Sequence, residues 1–345
     1  MNPQEWLMSR TPHPLRSLPW KLCACAGAAA LALTACGPGA QGGGSAAGAK
    51  VGLITKTDTN PFFVKMKEGA EKAARTAGVE LVSAAGKFDG DNAGQVTAVE
   101  NMVASGVKGI LITPSDSKAI IPALEKARAK GVLVIALDSP TEPQNATDAL
   151  FATDNFKAGQ LIGEYAKAAM KGKQAKIATL DLAPGVAVGV QRHNGFLKGF
   201  GVAGNDPAVV CSQDTAGDQS KGQTAMENCL QKAPDLNVVY TINEPAALGA
   251  HTALKAKGRD KDVLVVSVDG GCTGTRAVKE GKIAATSQQY PLKMAQQGVQ
   301  AVADYAKNGK KATGYTDTGV TLITDRPQDG AASQTTAFGL ENCWG

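Results

Sequence analysis

From Val51 onward, short apolar runs alternate with segments whose apolar residues recur at helical spacing. The runs predicted as strands are 51–55, 79–84, 109–113, 132–137, 149–153, 176–181, 208–213, 237–241, 263–268 and 283–287. Helices are predicted between them, near 61–77, 92–105 and 117–130 in the first half of the chain. A strand–helix repeat of this kind forms parallel sheets. Because ten strands exceed one comfortable sheet, the sequence predicts an α/β protein with two similar lobes.

The chain is predicted to pass between these lobes three times. The predicted crossings are Thr153-Asp154, Gln289-Tyr290-Pro291 and Gly319-Val320. They define an N-terminal lobe of residues 51–153 plus 290–319 and a C-terminal lobe of residues 154–289 plus 320–345. A last helix near 291–306 then returns to the N-terminal lobe.

The first 35 residues have the pattern of a secretion signal. Its positive region is supplied by Arg10, Arg16 and Lys21. The apolar run 22–35 is too short for a comfortable membrane span, and Leu33-Thr34-Ala35-Cys36 looks like a bacterial lipobox. We therefore expect a lipoprotein signal peptide at 1–35 and a flexible, glycine-rich tether at 36–50. The alternative is an ordinary soluble secretory protein that is cut nearby.

A lipobox implies cleavage before Cys36 and attachment of diacylglycerol to its sulfur. The mature protein would then be anchored outside the cytoplasm, at the periplasmic or extracellular face of a membrane. The formal charge of the whole chain is +5, and removal of 1–35 leaves 33 basic and 30 acidic residues, or +3. Because the basic residues are also dispersed, the sequence predicts no nucleic-acid partner.

Enzymatic signatures are absent from the sequence. It contains no Walker lysine loop, no GxGxxG after a strand, no GxSxG elbow and no HExxH. After the signal, His193 and His251 are the only histidines, which leaves little material for acid–base or triad chemistry. We expect a binding protein without a cofactor rather than an enzyme.

The chain has seven cysteines, of which Cys23 and Cys25 lie in the predicted signal and Cys36 in the lipobox. The four that remain are Cys211, Cys229, Cys272 and Cys343. An even count in an oxidising compartment favours two disulfides, for which three pairings are possible. The spacing does not support zinc.

One segment partly imitates a calcium loop. Asp89, Asp91 and the glycines around them are followed by Glu100 at the twelfth position, but Ala93 occupies a ligand position. Because apolar residues with helical spacing follow, the segment is better interpreted as a capped helix start. The sequence therefore predicts no metal site.

The stretch from Val51 to Phe63 has the pattern of a strand, a polar turn and the start of a helix. Asn60 is predicted as the N-cap and Pro61 lies in the first turn, where a helix tolerates proline. Ligands of open α/β sheets bind at such carboxyl strand ends. There Asn60 could bond a hydroxyl, while Phe62 and Phe63 offer apolar faces to a sugar ring. The alternative is an N-cap followed by two core aromatics.

Polar residues recur directly after other predicted strands. They are Asp138, Asn243, Asp269 and Gln289. Each could be a helix cap or a turn residue, but together they are typical of a ring of hydroxyl-binding groups. Arg192, near a helix start, would place a guanidinium beside two of the carboxylates.

At this point the sequence resembles the periplasmic sugar-binding proteins of the ribose/galactose-binding class, over about residues 51 to 323. The motifs that carry the resemblance are Asn60-Pro61-Phe62-Phe63, Ile112-Thr113-Pro114-Ser115-Asp116-Ser117, Ile135-Ala136-Leu137-Asp138, Thr153-Asp154-Asn155, Arg192-His193-Asn194-Gly195-Phe196, Asn243-Glu244-Pro245-Ala246-Ala247-Leu248-Gly249-Ala250 and Val268-Asp269-Gly270. It implies a type I periplasmic binding protein, in which two Rossmann-like lobes close on a sugar about a three-crossing hinge. In that family the sugar is contacted at the positions of Asn60, Phe62, Phe63, Asp138, Arg192, Asn243, Asp269 and Gln289.

Two positions depart from the ribose-binding pattern. Ser139 stands where ribose binders carry a second arginine, and Lys56 where they have a small polar residue. The Thr55-Lys56-Thr57 turn and the Gly339-Leu340-Glu341-Asn342-Cys343-Trp344-Gly345 ending look most like fructose-binding members. We expect fructose as the monosaccharide, with Lys56 added to the sugar site. Ribose or another hexose is the alternative.

The resemblance also implies the partners. They would be an ABC permease and its ATPase in the membrane, with the binding protein itself a monomer. The alternative is a sensory receptor that presents the same sugar to a chemotaxis or sensor-kinase partner. Since the C-terminal tail should return to the second lobe, where Cys272 lies, the expected bridges are Cys272–Cys343 and Cys211–Cys229.

Overall fold

The computed structural model describes residues 48–345. The predicted signal peptide 1–35, Cys36 and most of the tether 36–50 lie outside the described residues. The first strand begins at Lys50, one residue before its predicted start, and the amide of Glu80 donates to the carbonyl of Ala49. The last residue assigned to the tether is therefore part of a sheet.

Twelve strands are present in the described part of the chain. They are β1 (Lys50–Thr55), β2 (Glu80–Ala85), β3 (Gly109–Ile112), β4 (Leu133–Leu137), β5 (Ala149–Ala152), β6 (Ile177–Asp181), β7 (Val209–Asp214), β8 (Val238–Thr241), β9 (Leu264–Asp269), β10 (Ala285–Gln288), β11 (Gly314–Asp317) and β12 (Thr321–Ile323).

The helices alternate with these strands. They are α1 (Pro61–Ala77), α2 (Asn92–Ala104), α3 (Ile121–Ala129), α4 (Asn155–Met170), α5 (Ala187–Phe200), α6 (Gln219–Lys232), α7 (Glu244–Ala256), α8 (Cys272–Lys279), α9 (Pro291–Asn308) and α10 (Thr336–Asn342), with a short 3-10 turn at Gln144–Ala146. None of the helices within residues 48–345 is long and apolar enough to cross a membrane.

The strands form two six-stranded sheets, which confirms the predicted α/β fold class. The first sheet has the order β11-β5-β4-β3-β1-β2, and all of its strand pairs are parallel. The second sheet has the order β12-β10-β9-β8-β6-β7. It is parallel except at its edge, where β12 runs antiparallel to β10.

The chain passes from one sheet to the other between β5 and α4, between β10 and α9, and between β11 and β12. Helix α9 packs on α1 and on the first sheet, whereas α4 packs on the second sheet. Each sheet is covered by its own apolar layers. The carboxyl ends of the two sets of strands meet between the sheets, where the guanidinium of Arg192 lies 3.5 Å from Asp138, just after β4, and 3.7 Å from Asp269, at the end of β9.

The sequence pattern missed β11 and β12. These strands have four and three residues, and β11 is polar and mostly exposed, so neither carries an apolar run that a pattern would detect. Helix α3 starts at Ile121 rather than at 117. The preceding Ser117 is held instead by the other half of the molecule, because its amide donates to Gly185 and its hydroxyl accepts from the amide of Ala187.

Two disulfides lie in the second half of the chain. Cys211 of β7 is bonded to Cys229 of α6, with the Cα atoms 5.6 Å apart. Cys272, the first residue of α8, is bonded to Cys343 just after α10, with a Cα separation of 4.9 Å. The second bond fastens the C-terminal tail to the start of α8.

Candidate functional site

The nine residues that the sequence assigned to sugar binding line one narrow cavity between the two sheets. They are Lys56, Asn60, Phe62, Phe63, Asp138, Arg192, Asn243, Asp269 and Gln289. The cavity adjoins a larger pocket of about 750 Å³, which shares several of the same side chains. Residues far apart in the sequence therefore converge because both sheets present their carboxyl strand ends to this space.

Arg192 connects the two sheets. It lies in the second turn of α5, is 4% exposed, and places its guanidinium 3.5 Å from Asp138 and 3.7 Å from Asp269. Its Nε donates to the side-chain oxygen of Asn155 at 2.8 Å, and its Nη1, the nitrogen nearest Asp269, donates to the carbonyl of Ile242 at 3.1 Å. Because Asn155 and Ile242 belong to the same half of the molecule as Arg192, these two bonds hold the guanidinium in place within that half, which favours charge-assisted binding.

The carboxylates of Asp138 and Asp269 are oriented by strained backbone. Their φ angles are 61° and 144°, in a region that non-glycine residues rarely occupy and that costs about 1–3 kcal/mol. Asp138 directly follows β4 and Asp269 is the last residue of β9, and both are buried. Strain of this kind persists only where the surroundings hold the residue in place, as at a binding site.

Each carboxylate also has a local hydrogen-bond donor. The hydroxyl of Ser139 donates to the carboxylate of Asp138 at 2.9 Å, and the side-chain nitrogen of Gln289 donates to the carboxylate of Asp269 at 2.7 Å. The side-chain oxygen of Gln289 is buried and has no partner among the described residues. A buried acceptor without a donor costs free energy. A ligand hydroxyl that donated to this oxygen would remove that cost.

Asn60 and Asn243 are helix caps as well as cavity residues. Asn60 accepts from the amide of Phe62 at 3.0 Å, and Asn243 accepts from the amide of Ala246 at 3.1 Å. Both bonds use the side-chain oxygen. Each asparagine is therefore a helix cap that also lines the cavity, and the cap fixes the direction of its side-chain amide nitrogen. In Asn243 that nitrogen also donates to the carbonyl of Gly217.

The two phenylalanines are both core residues and lining residues. Phe62 and Phe63 are 4% and 6% exposed and meet edge to face, with ring centroids 5.4 Å apart. They pack into the apolar layer of the first sheet and line the cavity. An aromatic held in this way presents a rigid apolar face to a ligand.

Lys56 is buried and lies beside a carboxylate that the sequence did not assign to the site. Its side chain is 2% exposed, and its Nζ lies 3.8 Å from Asp89, which also lines the cavity. Burial raises the pKa of Asp89, and the Lys56 ammonium opposes that rise. In the sequence, Asp89 lies in an incomplete calcium loop one turn before a predicted helix, and this position is the signal from which it could have been found.

The calcium alternative is not supported by the local structure. Asp91 is the N-cap of α2 and accepts from the amide of Gly94 at 2.9 Å, which confirms the capped helix start. Over the described residues 48–345, no group of three or more metal-ligating side chains could hold an ion.

Glu244 is a buried carboxyl that holds the backbone next to Asp269. It accepts from the amides of Gly270 and Gly271 at 2.8 and 3.0 Å and from the hydroxyl of Thr286 at 2.8 Å. These bonds hold the turn that follows Asp269, in which Gly270 has a φ of 69°. Burial raises the pKa of Glu244 to about 8, with the nearby Asp269 adding to the rise.

Burial also raises the pKa of Asp269, to about 7, against the lowering effects of Arg192 and of the Gln289 hydrogen bond.

Three apolar side chains that the sequence did not point to complete the lining of the cavity. They are Leu182, Val188 and Ile242. The resulting space combines fixed acceptors, two cations and apolar faces, which suits a small polyhydroxylated molecule.

Residues 51–311 match the family described as periplasmic binding protein domain. The ribose import binding protein of Bacillus subtilis is 37% identical over 261 residues, which cover 76% of this chain and 82% of that protein. The D-ribose/D-allose-binding protein of Pseudomonas aeruginosa is 32% identical over 259 residues, covering 73% and 80%.

A solved structure is similar over most of the chain. It is an ABC transporter periplasmic solute-binding protein from Actinobacillus succinogenes with bound D-allose. The TM-score is 0.72 at 29% identity, and the match covers 80% of this chain and 97% of that one.

Proposed function

As the chain belongs to the periplasmic binding protein family, we propose that it is the substrate-binding component of a sugar ABC importer. It holds one monosaccharide between two lobes and passes it to a membrane permease driven by its ATPase. The lobes are residues 51–153 plus 290–319 and residues 154–289 plus 320–345. Hinge closure brings them together on the sugar, and the closed form is what the permease recognises.

The observation that carries this proposal is the position of Arg192. It lies 3.5 Å from Asp138, after a strand of the first sheet, and 3.7 Å from Asp269, at the end of a strand of the second. A sugar whose hydroxyls donate to these carboxylates and accept from the guanidinium would bond to both lobes at once. Such a ligand favours the closed arrangement over the open one.

The proposed sugar is fructose. The named relatives bind ribose or allose, so this choice rests on features of the present chain. Lys56 brings a buried ammonium to the cavity. The resemblance implies an arginine at the position of Ser139 in ribose binders, whose fork would fill space and fix a pentose, whereas the Ser139 hydroxyl donates to Asp138. A larger, differently oriented sugar would extend from the narrow cavity of about 30 Å³ into the adjoining pocket of about 750 Å³.

We expect fructose to bind at least about tenfold tighter than ribose, because a site built to bond particular hydroxyls rejects analogues that leave its own polar groups unpaired. Titration calorimetry with both sugars measures the ratio, and the recovered sugar should be chemically unchanged. Lys56→Ala should reduce the ratio, whereas Lys87→Ala, at an exposed lysine of the adjoining pocket, should leave it as it is.

Equal or tighter binding of ribose would refute fructose and leave the transport role in place. Conversion of either sugar into a product would contradict a pure binding function. A screen by thermal shift over pentoses, hexoses and polyols provides the starting point, since a ligand at 100 times its dissociation constant adds about 2.7 kcal/mol of stability.

We further propose that Cys36 carries a lipid anchor. Cys36→Ser should abolish incorporation of a labelled fatty acid and move the protein from the membrane fraction to the soluble fraction. Cys25→Ser, within the proposed signal peptide, is the matched control and should leave the labelling intact. Labelling that survives Cys36→Ser would point to a different anchor.

A further inference from the structure

The last tryptophan of the chain lies between the two halves of the molecule. Trp344 is the penultimate residue, yet it is only 5% exposed. Its ring meets that of Phe62 edge to face, with the centroids 5.4 Å apart, and it belongs to the apolar layer of the first sheet. The tail that carries it, however, packs on the second half of the chain through α8 and α10.

The backbone at Trp344 is fastened to the second half. The preceding residue, Cys343, is bonded to Cys272, and the amide of Cys272 donates to the carbonyl of Trp344 at 2.9 Å. The indole Nε1 donates to the carbonyl of Gln289 at 2.8 Å. Trp344 is therefore held at two points: its backbone carbonyl is bonded to the start of α8, and its indole nitrogen is bonded to Gln289, in the connection between β10 and α9.

Two of the residues that the indole contacts are lining residues of the candidate sugar site. Phe62 lines it from α1, and Gln289 lines it next to Asp269. Trp344 lines only the larger adjoining pocket. It thus acts on the site through its neighbours.

We propose that Trp344 is a positioning residue for sugar binding, held in place by the Cys272–Cys343 bond. It fixes the Phe62 ring and the Gln289 backbone, and its contact with Phe62 joins an element of the second half to a helix of the first. That contact forms only when the two halves are close, so it stabilises the closed arrangement. The inference rests on the proposed sugar-binding function.

The effect appears as a change in affinity. Loss of a contact present only in the closed state reduces the closed population, and apparent affinity falls with that population. An aromatic pair of this type is worth enough that Trp344→Ala should weaken fructose binding about tenfold. The change should lie in faster dissociation, because the polar groups that meet the sugar remain. Trp344→Phe keeps a ring against Phe62 and should lie between the wild type and the alanine variant.

Removal of the Cys272–Cys343 disulfide distinguishes a positioning role of Trp344 from a merely structural one. Removal of the bond by Cys272→Ser with Cys343→Ser should weaken binding, and addition of Trp344→Ala to that pair should cost little more, since both act through one contact. The matched control removes the other bond by Cys211→Ser with Cys229→Ser, in the core of the second half, and should leave the affinity unchanged. Calorimetry and stopped-flow dissociation of fructose, with ribose as the second probe, supply the measurements.

Trp344→Ala affinity within about twofold of the wild type, or equal effects from the two disulfide removals, would overturn the proposal.

If a Trp344 or cysteine variant does not fold, the fluorescence of Trp344 itself still tests the inference. Trp6 and Trp20 lie within the proposed signal peptide 1–35, so the processed protein carries Trp344 as its single tryptophan. Saturating fructose should shift its emission to the blue as the ring becomes buried against Phe62. Binding seen by calorimetry with unchanged emission would contradict this inference alone. Failure of fructose, ribose and the remaining sugars of the screen to bind the wild type would contradict the proposed function as well.

Discussion

Replacement of Arg192 by alanine should lower sugar affinity by at least about a hundredfold. Each charge-assisted hydrogen bond to a ligand oxygen contributes about 1.5–3 kcal/mol, and a guanidinium can form two of them at once. The substitution also removes the cation between Asp138 and Asp269, and because that cation lowers the pKa of Asp269, its loss favours the protonated form of this carboxyl. Titration calorimetry at pH 7 with the best sugar of the screen measures the loss.

Two further variants separate charge from geometry. Arg192→Lys keeps the positive charge but not the planar fork that bonds Asn155 and Ile242, so it should recover only part of the affinity. Arg128→Ala breaks a comparable ion pair with Asp148, 3.0 Å apart and outside the cavity, and should leave the affinity unchanged. Near-native affinity of a folded Arg192→Ala protein would reject the site.

The sequence predicted the fold because the strands that matter are buried apolar runs. Strands such as β4 and β8 have every residue buried, so their pattern is set by the core alone. Strand β11 is polar and exposed, and its place at the edge of the first sheet depends on the parallel register with β5 rather than on its own residues. The predicted start of α3 at residue 117 was wrong because Ser117 is hydrogen-bonded to Gly185 and Ala187, which are distant in sequence.

The candidate site was predictable to the extent that it lies at strand ends. Asp138, Asp269 and Gln289 directly follow or end strands, so topology alone brings them together. The positions of Asp89 and Trp344 could not be predicted in this way. Each is placed by a tertiary contact, the first with Lys56 and the second with Phe62, and no local spacing encodes such a contact.

Replacement of Lys56 by methionine should destabilise the protein by about 3 kcal/mol at pH 8, because it leaves the carboxylate of Asp89 buried without its cation. Lys56 is 2% exposed and Asp89 12% exposed as side chains, with 3.8 Å between Nζ and the carboxylate oxygen. Methionine keeps the length of the apolar stem, so the change isolates the charge. Chemical denaturation over a range of pH measures the free energy of unfolding.

The loss should depend on pH in a defined direction. Burial already raises the pKa of Asp89, so the folded state binds a proton more tightly than the unfolded chain. Stability from this group is full below the unfolded pKa of about 3.9 and is lost as pH rises through the folded pKa. Because Lys56 lowers that folded pKa, its removal raises it further. The gap between wild type and variant should therefore be small near pH 4 and widen toward pH 8.

Two controls make the result specific. Asp89→Asn added to Lys56→Met removes the titrating carboxylate, so it should restore much of the stability and flatten its dependence on pH. Lys65→Met breaks the ion pair with Glu68, 2.7 Å apart on the exposed face of α1, and should cost less than about 1 kcal/mol because solvent screens such pairs. A Lys56→Met protein whose stability does not vary with pH relative to the wild type would mean that Lys56 does not control the charge of Asp89. In that case the specificity assigned to Lys56 would have to arise from its volume and not from its ammonium.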